Sequence, residues 1–265
     1  MIRIAVDAMG GDRGPETIVD GALDAARESG VSLSLVGRED CLRELLAGHP
    51  DASALDVVVV PADEAVGMGE RPTAALRQRP RASIKVAAAE VAAGRAAALF
   101  SAGNTGATVM AAHAAFGMLE GAERPALAVI VPTRRSPAVL LDVGATVACR
   151  PRHLVQFAAM GAVYARLVLG VERPRVGVLS IGEEETKGND LTRQAHRLLR
   201  AGRLNFTGNL EARDVFAGGA DVIVCDGFTG NIALKVSEGL VEMIGGLLGE
   251  WAAGLGDELA PRVGG

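Results

Sequence analysis

Apolar residues follow two rhythms along this chain, short unbroken runs and stripes at helical spacing, and the two alternate from one end to the other. Residues 2–7 read as a strand, an apolar run interrupted by Arg3 that ends at Asp7. Ile18, Val19, Ala22, Leu23 and Ala26 then share one helix face, with Pro15 in the opening turn and Gly30 just past the end, the start and stop residues that helices favour. Residues 32–37 and 55–62 read as buried strands, and the consecutive valines Val57 to Val60 predict cover on both faces. Residues 83–93 read as a helix and 96–101 as the strand that follows. Further strands are expected at 126–131 and 138–142, a helix at 153–169, a strand at 175–181, a helix at 190–200, and strands at 204–207 and 221–225. From Ile232 onward the pattern is one long helix, with Val236, Leu240, Ile244, Leu247, Leu248 and Trp251 in a stripe that reads as a core or dimer contact. Glu238, Glu242 and Glu250 set it apart from a basic membrane-binding helix.

Such alternation predicts an α/β fold, a doubly wound, mainly parallel sheet with helices on both faces. The α/β body is expected over residues 1–235, followed by a C-terminal helical segment at 236–265. A chain of 265 residues has room for one large α/β domain or two small ones. The Pro- and Arg-rich residues 71–81 are the best candidate for a mobile loop or a break between subdomains. Aromatics are only 3% of the chain, so the core must rest on Ala, Val, Leu and Ile. A net charge of −5 argues against broad nucleic-acid binding. Cys41, Cys149 and Cys225 are unpatterned, which argues against a disulfide framework or a zinc site and fits a reducing cytosol. The N-terminus has no signal-peptide pattern and no apolar run is long enough to span a bilayer, so the expected location is the cytoplasm.

Four glycine-bearing segments, residues 7–12, 101–107, 182–190 and 226–231, each follow an apolar run and lead into a helical pattern. In an open α/β sheet such turns lie at the carboxyl ends of the strands, where ligands bind. Glycine lets a ligand approach the backbone, and a helix start offers unpaired N–H groups and partial positive charge. The first segment carries Gly10 and Gly11 between Asp7 and Asp12. The second carries Ser101, Asn104 and Thr105, with Asn104 also suited to cap the next helix. The third holds the only lysine of the four, Lys187, able to neutralise phosphate or a developing oxyanion; the bland alternative is a surface pair with Glu183, Glu184 or Glu185. Those glutamates also suggest a divalent cation, but no second carboxylate cluster lies nearby in sequence. The fourth runs from Asp226 and opens a helix with Asn231. His113 reads as a satisfied core or interface histidine, and His49, His153 and His196 as polar surface. Arginines group at 134–135, 150–152 and 193–203, either solvated faces or attractors of an acidic partner.

Taken in order, these segments resemble the bacterial phosphate acyltransferases of phospholipid synthesis, the PlsX family. Glu183-Glu-Glu-Thr-Lys-Gly-Asn189 and Asp226-Gly-Phe-Thr-Gly-Asn231 carry the likeness most fully, and Arg124-Pro-Ala-Leu127, Leu141-Asp-Val-Gly-Ala145 and His153-Leu-Val-Gln-Phe157 add to it. The resemblance implies a fold related to phosphotransacetylases and isocitrate dehydrogenase-like enzymes. It implies transfer of an acyl group from acyl–acyl-carrier-protein to inorganic phosphate, with no cofactor and no metal. It also implies a homodimer in the cytoplasm with peripheral contact at the inner face of the membrane. Carried over onto matching motifs, Lys187 and Asn231 are the catalytic candidates. Gly10, Gly11, Ser101, Asn104 and Thr105 would line the phosphate site, while Asp142 and Asp226 orient backbone and lysine within the substrate-binding set. The chain departs from the family at Thr146, where Asn is usual, and at Ala148, where Asp is usual. The family pattern also continues beyond Gly265. An acyl-CoA:phosphate acyltransferase of phosphotransacetylase type and a catalytically weak protein that binds carrier protein or acyl chains stand as alternatives. A nicotinamide-dependent dehydrogenase lacks its aspartate cluster here.

Overall fold

Two sheets, each belonging to its own compact unit, take up the strand–helix alternation in the computed structural model, which describes residues 1–259. Residues 260–265, the end of the expected C-terminal segment, lie outside the described residues.

The first unit, Met1–Pro125, contains β1 (Arg3–Asp7), β2 (Ser32–Gly37), β3 (Val57–Pro61) and β4 (Ala98–Ser101), all parallel in the order β3-β2-β1-β4. Because strand residues alternate between faces, Val6, Leu33 and Leu35 pack against α1 (Gly14–Ser29) and α2 (Glu39–Ala47) through Val19, Leu23 and Leu42. On the opposite face Ala5 and Val36 meet Ala87. Ala87 belongs to α4 (Ser83–Ala92), which also packs with α3 (Pro72–Gln78) and α5 (Thr105–Phe116). The valine run of β3 is not covered on both faces. As an edge strand it leaves Val58 47% exposed.

The second unit, Ala126–Gly265, contains β5 (Ala128–Val131), β6 (Ala138–Leu141), α6 (Pro151–Val168), β7 (Val176–Leu179), α7 (Asp190–Arg200), β8 (Phe206–Leu210), β9 (Val222–Val224) and α8 (Gly227–Leu259). Its strands lie in the order β5-β6-β9-β7-β8, and β5 alone runs antiparallel. Val139, Leu141, Val178 and Val224 face α6 and α7, packing on Leu154, Phe157, Ala195 and Leu199. Leu140, Ile223 and Leu179 face the other way, toward Val215 of a short 3₁₀ turn and Leu234 of α8. Further along, α8 is open: Val236 is 65% exposed and Trp251 66%, so its apolar stripe is not core in this chain.

The two units divide at Pro125 and Ala126. The expected break at 71–81 is instead occupied by α3, flanked by a Glu70–Arg79 ion pair at 2.7 Å. Residues 117–127, punctuated by Gly117, Gly121 and Pro125, carry the division. The expected boundary at 236 falls inside α8, which is continuous through it.

One ion pair joins the starts of β7 and β9. Arg175 donates from its backbone N–H (2.8 Å) and from Nε (3.0 Å) to Oδ2 of Asp221, and from Nη2 to Oδ1 (2.8 Å). Hydrogen bonding from the Arg175 side chain holds the Asp221 carboxyl below the usual aspartate range. A carboxyl lowered on folding stabilises the fold above its unfolded pKa, and that contribution is lost as pH falls through the folded value. Asp221→Asn should therefore melt lower than wild type at pH 7, with the gap closing well below about pH 4, the unperturbed aspartate value. Thermal melts across that range check it. A gap independent of pH would show that the ionised carboxylate is not what matters.

Candidate functional site

In the first unit the order β3-β2-β1-β4 reverses direction at β1 and β4, and the crevice past the carboxyl ends of such a strand pair is where open sheets bind ligands. Asp7 and Ser101 are register partners at those ends. Ser101 Oγ donates to Asp7 Oδ2 at 2.8 Å and accepts the Gly103 N–H at 3.1 Å. This contact draws the first two glycine segments together. A Cβ on Gly10 would lie 2.9 Å from both Asp7 Oδ2 and the Gly103 nitrogen, so only glycine fits there. Gly11 follows in the same turn, with Ala102 its nearest neighbour. Asp7 is 3% exposed, and among the described residues its Oδ1 has no hydrogen-bond partner. The two residues stand 94 positions apart in sequence, and only strand pairing joins them.

Asn104 caps α5, accepting the Ala107 N–H at 3.1 Å, while its Nδ2 donates to the carbonyls of Met68 (2.9 Å) and Glu70 (3.1 Å). Both ends of its amide are therefore committed, and what it offers an anion is the helix start it orders. Thr105 is exposed at the first position of that helix.

The second unit assembles around Asp142, which is fully buried. Its Oδ1 accepts from the N–H groups of Leu127 (2.9 Å), Gly144 (3.1 Å) and Ala145 (2.9 Å), and its Oδ2 from Thr146 (2.6 Å). A carboxylate so occupied shapes the loop after β6 and is no donor to phosphate. The start of α8 is built directly on that loop. Gly227 N–H donates to the Thr146 carbonyl at 3.0 Å, and a Cβ on Gly230 would collide with the Asp142 carbonyl oxygen.

Residues 227–231 are thus the first turns of α8 rather than a loop before it, and the helix begins five residues earlier than Ile232. Asp226 caps it, accepting the N–H groups of Phe228 (3.1 Å) and Thr229 (3.0 Å) and the Thr229 hydroxyl (2.7 Å). Asn231 donates from Nδ2 to the Val143 carbonyl at 3.2 Å, which leaves the second N–H of that amide. Cys225 lies beneath. Burial first, then the charges of Asp226, Asp142 and Cys149, push its thiol far above the usual range, so it is no nucleophile.

Lys187 is exposed on the turn that leads into α7. Its backbone N–H closes that turn on the Glu184 carbonyl at 3.0 Å. Among the described residues no carboxylate pairs with its ammonium, and the neighbouring glutamates leave it free. Asn189 caps α7 through the Thr192 N–H at 2.9 Å. Among the described residues no three His, Cys, Asp or Glu side chains group as a metal site.

His49 keeps a polar surface setting beside Asp20, 2.9 Å away, but the other three histidines differ from their sequence reading. His113 is exposed, whereas His153 and His196 are buried, because they fall on the inward stripes of α6 and α7. His196 Nδ1 lies 2.9 Å from Asn209 Oδ1, and Asn209 Nδ2 donates to the Glu184 carbonyl at 2.9 Å, tying β8 to the lysine turn. Of the family departures, Thr146 is buried and holds Asp142 and Gly227 through its backbone, while Ala148 is exposed.

The model of a family described as "Fatty acid synthesis protein" matches residues 2–255. The curated phosphate acyltransferase of Geobacter sulfurreducens is 50% identical over 249 residues, 94% of this chain and 72% of that protein. That of Nitratidesulfovibrio vulgaris (strain DP4) is 52% identical over 238 residues, 89% and 69% of the two chains. Among solved structures, the EutD phosphotransacetylase from Staphylococcus aureus superposes with a TM-score of 0.61 at 17% identity, covering 92% of this chain and 82% of its own. A branched-chain phosphotransacylase from Enterococcus faecalis V583 gives 0.56 at 18% identity, covering 89% and 83%. These last two share the fold, as the α/β pattern led one to expect.

Proposed function

The chain belongs to this fatty acid synthesis family of phosphate acyltransferases, and we propose that it moves an acyl group from acyl–acyl-carrier-protein to inorganic phosphate. A phosphate oxygen attacks the thioester carbonyl, a C–O bond forms, the C–S bond breaks, and the carrier leaves as thiolate to take up a proton. Phosphate is already an anionic nucleophile and a thiol an adequate leaving group, so the protein must bring charge and position rather than an activated side chain.

The observation that carries this reading is Lys187, an exposed cation without a carboxylate partner among the described residues, beside the capped start of α7. It supplies positive charge to phosphate or to the tetrahedral oxyanion. Asn231 donates its remaining N–H to the same reaction. Asp142 and Asp226 set the loop and helix that carry it. In the first unit, Gly10, Gly11, Ser101 and the head of α5 at Asn104 and Thr105 offer backbone donors to an anion. Mixing the protein with phosphate and acyl–carrier-protein and assaying acyl phosphate tests the reading, with acyl-CoA as the comparison donor. Turnover of acyl-CoA alone would favour the phosphotransacetylase type instead.

Among the described residues no helix is long and apolar enough to cross a membrane. Ile244, Leu247, Leu248 and Trp251 are each at least 44% exposed on α8, which supports a homodimer or a peripheral membrane contact formed through that stretch.

The carrier protein is acidic, and recruitment depends on local field rather than net charge. Arg193 is engaged with Asp190 (2.7 Å) and the Gly188 carbonyl (2.6 Å), whereas Arg197 and Arg200 stand exposed on α7, and Arg134 and Arg135 stand exposed after β5. Charge reversal of either exposed pair should raise KM for acyl–carrier-protein severalfold more than KM for acyl-CoA, and added salt should narrow that difference. An unchanged substrate ratio for both pairs would make them ordinary solvated surface.

A further inference from the structure

A hollow of about 1120 Å³, open to solvent along α8 where Leu240 is 51% exposed, lies within the second unit between α8 and the sheet face that α6 and α7 leave uncovered. Its walls are almost wholly apolar, with Val131, Leu140, Leu179 and Val215 on one side and Ala233 and Leu240 of α8 on the other. Polar groups gather where α8 begins. Asn189, two residues past Lys187, lies there with Asp226 and Thr229. Ser180 joins them, and its hydroxyl is buried with no hydrogen-bond partner among the described residues. Further along the helix Glu238 and Glu242 border the hollow, Glu238 being paired with Lys235 at 2.8 Å.

A cavity polar at one end and apolar along its length matches a ligand built the same way. We propose that this hollow holds the alkyl chain of the acyl donor, with the thioester at the Asn189–Thr229 end. The α8 residues that line it run from Thr229 to Glu242, roughly 20 Å of helix at 1.5 Å per residue, the reach of an extended long acyl chain. The volume sits at the upper end of ordinary ligand pockets, of the order of 1,000 Å³. Each methylene withdrawn from water strengthens binding roughly fourfold, so the hollow favours long chains.

The test uses Ala233 and Ser237, small residues one helical turn apart on the lining face of α8. Acyl phosphate formation is measured over donors of rising chain length. Wild type should show kcat/KM rising with length. Ala233→Phe should cut the long-to-short ratio at least tenfold, and Ser237→Phe, about 6 Å further in, should move the cut-off to longer chains than Ala233→Phe does. Leu167→Trp, on α6 and 81% exposed, should leave the profile as it is. Binding of a fluorescent long-chain fatty acid, measured in parallel, should weaken at least tenfold in Ala233→Phe. The inference rests on the acyltransferase reading, yet the two fail separately. Absence of acyl phosphate from every donor overturns that reading, while the fatty-acid probe still decides the hollow. A length profile and probe affinity indifferent to both phenylalanines overturn the hollow, as does a variant that changes only molecular mass in light scattering or binding to lipid vesicles.

Discussion

Lys187→Ala should lower kcat for acyl phosphate formation by about 10²- to 10³-fold, the loss typical when one group that stabilises developing negative charge is removed. The melting temperature should hardly move. Lys187 is exposed and, among the described residues, pairs with no carboxylate, so its removal opens no cavity and strands no buried charge. Lys187→Arg keeps the charge but changes its shape, and should recover part of the rate. If a folded Lys187→Ala protein retained turnover within a factor of two or three, the lysine would be a surface residue and the charge would have to come from elsewhere.

Asp142→Ala should cost stability instead. It strips four backbone N–H groups, those of Leu127, Gly144, Ala145 and Thr146, of one buried acceptor. Each stranded donor is worth about 1–3 kcal/mol, and because neighbours relax together we expect about 4 kcal/mol in all rather than the full sum. For a unit of this size that is a fall of the order of 10 °C in melting temperature. Activity should fall in parallel, since Asn231 binds the Val143 carbonyl of the same loop. Asp142→Asn, which keeps one acceptor oxygen, should lie between. A variant within about 1 kcal/mol of wild type in a denaturant titration would mean that the loop holds its shape without the carboxylate.

Much of this fold is legible in the sequence alone. Ser32–Gly37 and Asp190–Arg200 coincide with their elements to the residue, because turn residues bound each of them. The start of α8 did not show, because four of its first five residues look like loop chemistry. Gly227 and Gly230 are there for close packing against the Asp142 loop, not for a turn. His196 read as surface among arginines, yet Thr192, Ala195, His196 and Leu199 repeat at helical spacing and are all buried. Within the site, Asn104 and Asp142 were in view from their own segments. What joins Asp7 to Ser101 was not, because register between strands far apart in sequence is written in no single segment. β3 misled for a related reason: composition reports that a strand is apolar, not whether it lies at the edge of its sheet.

The seating of Gly230 against the Asp142 carbonyl also sets the rotation of α8 about its own axis. Each residue of an α-helix advances about 100°. A single residue added or lost between Gly230 and Ala233 would therefore swing the lining side of the helix by more than a quarter turn, bringing Lys235 to the place now held by Leu234 or Val236. Substitutions along α8 alter one side chain at a time, whereas a change of length there would reassign every later one.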